Sequence, residues 1–333
     1  MAMRLLIGGM SLLQWRSIRR AAAPGIKVAK LVGPGENARG KKYFDAEEVE
    51  TMTDFAIGTF ATDYTLQPAE LAKAVEERGF EGLFFAEHTH IPVSRDTPYL
   101  LGGDLPKEYW HSHDLFVSMT AAAVATTTLK VGSSICLVTE HDEFNLAKAC
   151  ASLDMISGGR LVLGIGAGWN AEEMAEHGVP FKDRWKVTRE RVLAMRQLWT
   201  QDEAEFHGEF VNFEKAWAYP KPSTPGGPPI LMGAGSKWTP DRVVEYCDGW
   251  MPIDGFNDIE QGLEQLKASA DRAGRPFEEL IFSPNSAPSP QRITELVELG
   301  ADRVTLFFPS MDDHSAQRQR LDHYADVVRQ VTG

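Results

Sequence analysis

The chain has 333 residues, 43% of them hydrophobic, enough for one large core or two smaller ones. Its formal net charge of −13 argues against nucleic acid or an anionic membrane as the main partner. Three cysteines (Cys136, Cys150, Cys247) with no C-x-x-C pair suit a reducing cytoplasm and give no zinc signature, and no run of about 18 apolar residues exists to span a membrane.

Residues 1–51 stand apart, with nine Lys/Arg against five Asp/Glu. "MRLLIGGMSLLQWRSIRRAAAPG" has the basic, amphipathic look of a targeting peptide, without the apolar length or cleavage site of a secretory signal. Met52 directly precedes the first convincing strand, so 1–51 reads as a flexible extension, or as sequence upstream of the true start. From residue 54 a short apolar run and a helical stretch alternate. "FAIGTF" (55–60) is a strand and "PAELAKAVEERG" (68–79) a helix, opened by Pro68 and closed by Gly79. "GLFFAEH" (82–88) is strand two, followed by a helix at 116–126. "LKVGSSICLV" (129–138) is strand three, followed by a helix at 145–157 that stops at Gly158–Gly159. "RLVLGIGAGW" carries strand four. The helix after it sets Thr188, Val192, Met195 and Trp199 on one face. Residues 205–222 read as irregular or as a small hairpin. Strands five to eight fall at 228–235, 249–253, 279–284 and 302–309, with helices near 240–247, 258–273 and 290–299 between them. A last helix carries an apolar stripe of Leu321, Tyr324, Ala325 and Val328.

Eight strand–helix units with doubly apolar strands predict an α/β fold, a single (β/α)8 TIM-type barrel over 54–333. Insertions are expected after strands 2 and 4: one at 89–114, the other between helix four and strand five. Gly164, Gly166 and Gly168, at alternate positions, raise the question of a dinucleotide loop. A G-x-G-x-x-G fingerprint would need a third glycine at 169, which is Trp169, and the next strand in order ends "LMGAGS" without an acid. At the carboxyl end of a barrel strand such glycines would instead let a flat ring approach the backbone.

"ASLDMISGGRLVLGIGAGW" followed by "EEMAEHGVPFKDRW" resembles the luciferase-like flavin and deazaflavin oxidoreductases. "FFAEHTHIP", "AAAVATTTLKVGSSICLV", "AYPKP", "PPILMGAGS" and "CDGWMP" match in the same order, across roughly 54–333. The resemblance is closest to the branch using coenzyme F420, a deazaflavin hydride carrier, with FMN and a monooxygenase activity as the alternative. It implies a tricyclic ring at the carboxyl mouth of the barrel. It places His88 beside that ring, where imidazole could handle a proton, with Glu87 orienting it. It implies a non-proline cis peptide at Ser134–Ile135 backing the ring, and main-chain contacts from Ala167, Gly168 and Trp169 along its edge. Gly233, Ala234, Gly235 and Ser236 would form a nest of N–H groups for the cofactor phosphate, with Lys237 adding charge. Trp169 stands where the sugar-phosphate dehydrogenase branch has a carboxylate, which disfavours a sugar phosphate. The substrate side offers Tyr109, Trp110, Trp169, Trp217 and Tyr219, pointing to an apolar or planar small molecule. The resemblance also implies a homodimer.

Two rival readings come from other classes. His88-Thr89-His90 at a strand end resembles the opening of a metal-dependent hydrolase barrel, but strands five, six and eight supply none of the further ligands, and His111 and His113 have no third partner at useful spacing. A non-catalytic cofactor carrier on the same fold is distinguished only by turnover.

Overall fold

The computed structural model describes residues 53–332, together with the backbone of two N-terminal strands, β1 (Val28–Glu36) and β2 (Lys42–Val49), which pair antiparallel from Val28 opposite Val49. The expected flexible extension, 1–51, otherwise lies outside the described residues.

The remaining elements alternate as the apolar runs predict. β3 (Asp54–Thr59) leads to α1 (Pro68–Glu76), and β4 (Gly82–Phe85) to a short helix α2 (Glu108–His111) and then α3 (Leu115–Ala125). β5 (Lys130–Leu137) leads to α4 (Glu143–Ser157), and β6 (Leu161–Gly166) to α5 (Ala171–Glu176) and the long α6 (Arg184–Thr200). The stretch expected to be irregular or a hairpin is a hairpin, β7 (Ala204–His207) with β8 (Asn212–Ala216). Then follow β9 (Ile230–Met232), α7 (Thr239–Tyr246), β10 (Gly249–Trp250), α8 (Ile259–Ala273), β11 (Ile281–Phe282), β12 (Asn285–Ser286), α9 (Pro290–Glu298), β13 (Arg303–Phe307) and α10 (His314–Thr332). Local chemistry sets the helix ends. Asp114, Asp142 and Asp258 accept from the N–H groups of Val117, Asn145 and Gln261, and Gly158 and Gly274 close their helices with left-handed backbone.

Nine strands form one parallel sheet in the order β11-β10-β9-β6-β5-β4-β3-β13-β12, curled in the manner of a TIM-type barrel. Its two outermost strands are pieces of one chain segment. Expected as a single strand, 279–284, that segment breaks at Pro284, which has no N–H to give. Ile281 and Phe282 pair with β10, and Asn285 and Ser286 pair with β13. Inside the curl Ala56, Phe84, Val162, Leu231, Met251 and Ile281, each from a different strand or its end, pack as one apolar layer. At the amino ends of the strands buried Arg303 donates to both oxygens of Glu81 (2.6 and 2.7 Å), and its guanidinium lies 5.2 Å from the Phe84 ring centre. The charge of Arg303 holds the Glu81 carboxyl down to about 2, against the desolvation that would raise it. With that end sealed, the opposite mouth is where side chains can converge on a ligand. Among the described residues no helix is long and apolar enough to cross a membrane.

Candidate active site

The mouth is built by the segments that leave β4, β5 and β6. After Phe85 the chain stays tied to the sheet through Ala86 N–H to Thr59 O (3.0 Å), which carries Glu87 and His88 to the rim, both buried. Asn170 caps α5 by accepting from the N–H groups of Glu172 and Glu173. Glu173 sits three residues after this cap, the spacing of a capping box, yet its carboxylate serves a distant partner. It accepts from His88 Nδ1 at 2.8 and 3.0 Å, and both side chains are almost wholly shielded from water. The bond occupies Nδ1 and leaves Nε2 as the ring nitrogen open to other chemistry.

Aromatic rings enclose the pair. His88 lies 5.1 Å from Tyr109 and 6.0 Å from Trp169, centre to centre, and Tyr99 lies 5.3 Å from Tyr109 and 5.9 Å from Trp169. Of the five aromatic residues named from the sequence, Tyr109 and Trp169 therefore meet at His88. Trp110 packs instead on His111, Tyr219 donates its hydroxyl to Asp202, and Trp217 is 80% exposed.

Glu87 does not hold His88. Its carboxylate accepts from Leu137 N–H (2.6 Å) and pairs with His141 Nε2 (2.8 Å), so it fastens the end of β5. Desolvation alone would lower the His141 imidazole, but the bond to Glu87 and its charge outweigh this and raise it. Beside Glu87 and Glu173 lies a third buried carboxyl, Glu140. Burial first, then the charges of Glu173 and Glu87, push it up to about 9, so it is protonated at neutral pH. Glu173, Glu140 and His141 carry no local sequence signal. The nearest hint is the Asn170-x-x-Glu173 spacing.

The Ser134–Ile135 peptide is cis, as the resemblance implies. Ser134 donates from Oγ to Asn285 Oδ1 (2.9 Å), tying β5 to β12 across the mouth, while Ile135 packs on the inner apolar layer. The expectation that a ring needs the strand-four glycines is corrected here for two of them. A Cβ on Gly164 would lie 2.2 Å from Ser133 O and 2.8 Å from Met251 Sδ, and one on Gly166 would strike Ile135. Protein already fills both spaces. Gly164→Ala should therefore cost about 1–3 kcal/mol as an overpacked core with a backbone neighbour that cannot yield. Thermal melting checks this, and an unchanged midpoint would show that the strands separate freely. Gly168 differs: its φ of +75° is the reason for glycine there, and a Cβ would only touch Met174 at 3.3 Å. Ala167 is buried beside it, its carbonyl accepting from Thr139 Oγ1 (3.2 Å).

At the end of β9 the N–H groups of Gly233 and Ser236 are taken by Ile165 O and Thr239 Oγ1, and Ala234 O accepts from Trp250 Nε1. Of the four nest donors expected, the N–H groups of Ala234 and Gly235 have no hydrogen-bond acceptor among the described residues. Gly235, Ser236 and Lys237 rim a cavity of about 190 Å³ that also reaches Asn257 and the first turn of α7. This donor set, with a lysine and the N-terminus of an eight-residue helix, fits an anionic group.

The histidines of the metal-hydrolase reading part company. His88 turns inward to Glu173, and His90 turns outward to Glu176. Two buried sets bring three ligand-type atoms within 4.8 Å of one another, Glu87–Cys136–His141 and His88–Glu140–Glu173. In the first, burial holds the Cys136 thiol well above its usual range. In the second, Glu140 is neutral, so each set offers a poor ligand.

A model of the family described as luciferase-like monooxygenase matches residues 58–331. The chain belongs to that family. Among luciferase-like relatives, an uncharacterized protein of Mycobacterium tuberculosis is 36% identical over 272 residues, 80% of this chain and 96% of that protein. An F420-dependent glucose-6-phosphate dehydrogenase of Amycolatopsis mediterranei is 27% identical over 226 residues, 63% of this chain and 62% of the relative. The monooxygenase RslO1 from Streptomyces bottropensis superposes with a TM-score of 0.68 at 17% identity, over 84% of this chain and 100% of the other. An F420-dependent secondary alcohol dehydrogenase bound to an F420–acetone adduct does so at 0.56 and 20% identity, over 84% of each. The luciferase-like family thus includes both F420-dependent and flavin-type members, and this chain is an oxidoreductase of that family.

Proposed function

We propose that the protein is an F420-dependent oxidoreductase acting on a small apolar or planar substrate, with His88 as the proton-handling residue. The observation that carries this reading is the buried His88–Glu173 pair inside a ring of Tyr99, Tyr109 and Trp169 at the barrel mouth. Bound there, F420 would supply a carbon that takes or gives a hydride. Ser134–Ile135 would back the ring, Ala167, Gly168 and Trp169 would edge it with main chain, and Ala234, Gly235 and Lys237 would hold its phosphate. Gly233 and Ser236 shape that loop through the bonds they already make. Glu173, by fixing Nδ1, aims His88 Nε2 at the reacting heteroatom, and the aromatic walls exclude water from it.

The choice of F420 over FMN draws on relatives whose names state F420, and on Ala167, an apolar residue near which the bacterial luciferase branch has a basic phosphate ligand. Trp169 speaks against a sugar phosphate, since it supplies no acid beside His88. Titration with F420, FMN and NADPH, followed by fluorescence, should give F420 the tightest binding by at least about tenfold, a difference near 1.4 kcal/mol. Tight FMN binding with substrate-dependent oxygen uptake would move the protein to the monooxygenase branch. A homodimer is part of the same proposal. Val117 and Val124, seven residues apart on α3, and Met155 and Ile156 on α4, lie more than half exposed and offer an apolar face to a second copy. Sedimentation as a monomer at micromolar concentration would remove that part.

A further inference from the structure

We propose that Glu140 is the central member of a proton path joining His88 to the protein surface through Thr89, His177 and His90. The outer half is a continuous set of hydrogen bonds. Glu176 pairs with His90 Nε2, His90 Nδ1 meets Thr89 Oγ1 at 3.0 Å, and the same hydroxyl meets His177 Nε2 at 2.7 Å. A threonine hydroxyl both donates and accepts, so it can pass a proton between two imidazoles. The inner half is the Glu173–His88 pair. Between the halves stands Glu140. Its Oε2 is buried with no hydrogen-bond partner and lies 3.9 Å from His177 Nε2, and its carboxyl is within 4.8 Å of the reactive atoms of Glu173 and His88. Buried polar atoms without partners are uncommon and call for a reason. A carboxyl that exchanges partners by a small rotation supplies one.

The surroundings fix the direction of use. From β4 and its exit, Glu87, His88 and Thr89 lie against Glu140, and from β5 Cys136. From α5 comes Glu173, with His177 just beyond, and from α6 Arg191, whose guanidinium donates to the carbonyls of Val138 (3.0 Å) and Thr139 (2.9 Å) and pins the turn that carries Glu140. Three neighbouring carboxyls cannot all be ionised cheaply, and Glu140 is the one that keeps its proton. Burial, and the neighbouring His90, lower the His177 imidazole, so it meets Glu140 neutral and able to accept. When substrate gives a proton to His88 Nε2, Nδ1 passes its own to the Glu173 carboxylate, Glu140 gives its proton to the neutral His177 and takes the one on Glu173, and His177 passes a proton on through Thr89 to His90 and Glu176 at the surface. One proton has crossed to solvent, Glu173 and Glu140 end as they began, and His88 is left as its Nε2–H tautomer. The reverse sequence serves substrate reduction and restores the Nδ1–H tautomer.

This path rests on His88 being the proton-handling residue, but its test uses the full chain without cofactor. Infrared spectra at neutral pH should show a protonated-carboxyl stretch that is absent in Glu140→Gln. In 15N-histidine-labelled protein, water exchange of the His88 Nδ1 proton, assigned by its loss in His88→Asn, should slow by about tenfold or more in Glu140→Gln and in Thr89→Val. Thr89→Val keeps the side-chain shape, so a folded variant is assured by one substitution or the other. The absence of that infrared band, or exchange as fast as wild type in either folded variant, overturns the path. A protein that shows both effects yet fails to bind F420 keeps the path and loses the cofactor reading.

Discussion

His88→Asn is expected to keep F420 binding within a few-fold and to slow turnover by at least about a hundredfold. The argument is one of geometry. His88 lies just beyond β4 with Nδ1 committed to Glu173 and its ring tilted against that of Tyr109, so the imidazole is fixed in orientation while Nε2 is free of a protein partner among the described residues. Asparagine keeps a polar side chain that can still bond to Glu173, and it leaves the aromatic wall standing, so ring binding should change little. It cannot carry a proton through the cycle. A panel of secondary alcohols, aldehydes and enones, screened first with wild type, supplies the substrate, and single-turnover kinetics separate binding from chemistry. The loss should fall on kcat with KM nearly unchanged. Wild-type kcat in the variant would return His88 to a structural role, that of anchoring α5 through Glu173.

The elements that were plain in the sequence are those that local chemistry dictates. Doubly apolar strands, Pro68 at a helix start and Gly at helix ends are visible within a window of a dozen residues, and the strand–helix units of the curled parallel sheet follow from them. The break in the seventh unit was less plain, because Pro284 acts only through the strands on either side of it. The site was half legible. His88, Ser134–Ile135 and the Gly233–Ser236 turn stand at strand ends, where a barrel places ligands. Their partners come from far along the chain: Glu173 lies 85 residues from His88, and Leu137 and His141 reach Glu87 across 50 and 54. No periodicity marks such pairs. The glycines of strand four show the same limit from the other side. A missing side chain is visible in the sequence, but whether Ser133, Ile135 or a ligand fills the space depends on the neighbouring strand.

Glu140→Gln is expected to stabilise the fold, and to do so only above acidic pH. In the unfolded chain the Glu140 carboxyl ionises near 4.5, whereas in the folded protein burial and the adjacent Glu173 and Glu87 hold it protonated up to about 9. Below pH 4.5 both states carry the proton and the wild type has no penalty. Between those two values folding must take up a proton, so wild-type stability falls steadily as pH rises, and above about 9 the full penalty persists. Glutamine has nearly the same shape, can accept from Thr89, and never ionises. The difference between the two proteins should be close to zero at pH 4.5 and reach about 2–4 kcal/mol at pH 8, or a rise in Tm on the order of 5 °C. Comparing the two proteins at each pH cancels the titration of His141, His177 and the surface groups, which both share. An equal difference in Tm at both pH values would mean that Gln acts by packing alone, and a less stable variant at pH 8 would mean that Glu140 is ionised in the native protein. If the expected result holds, the protein keeps at its barrel mouth a carboxyl that weakens the fold at working pH. That cost is what a buried proton store beside His88 would impose.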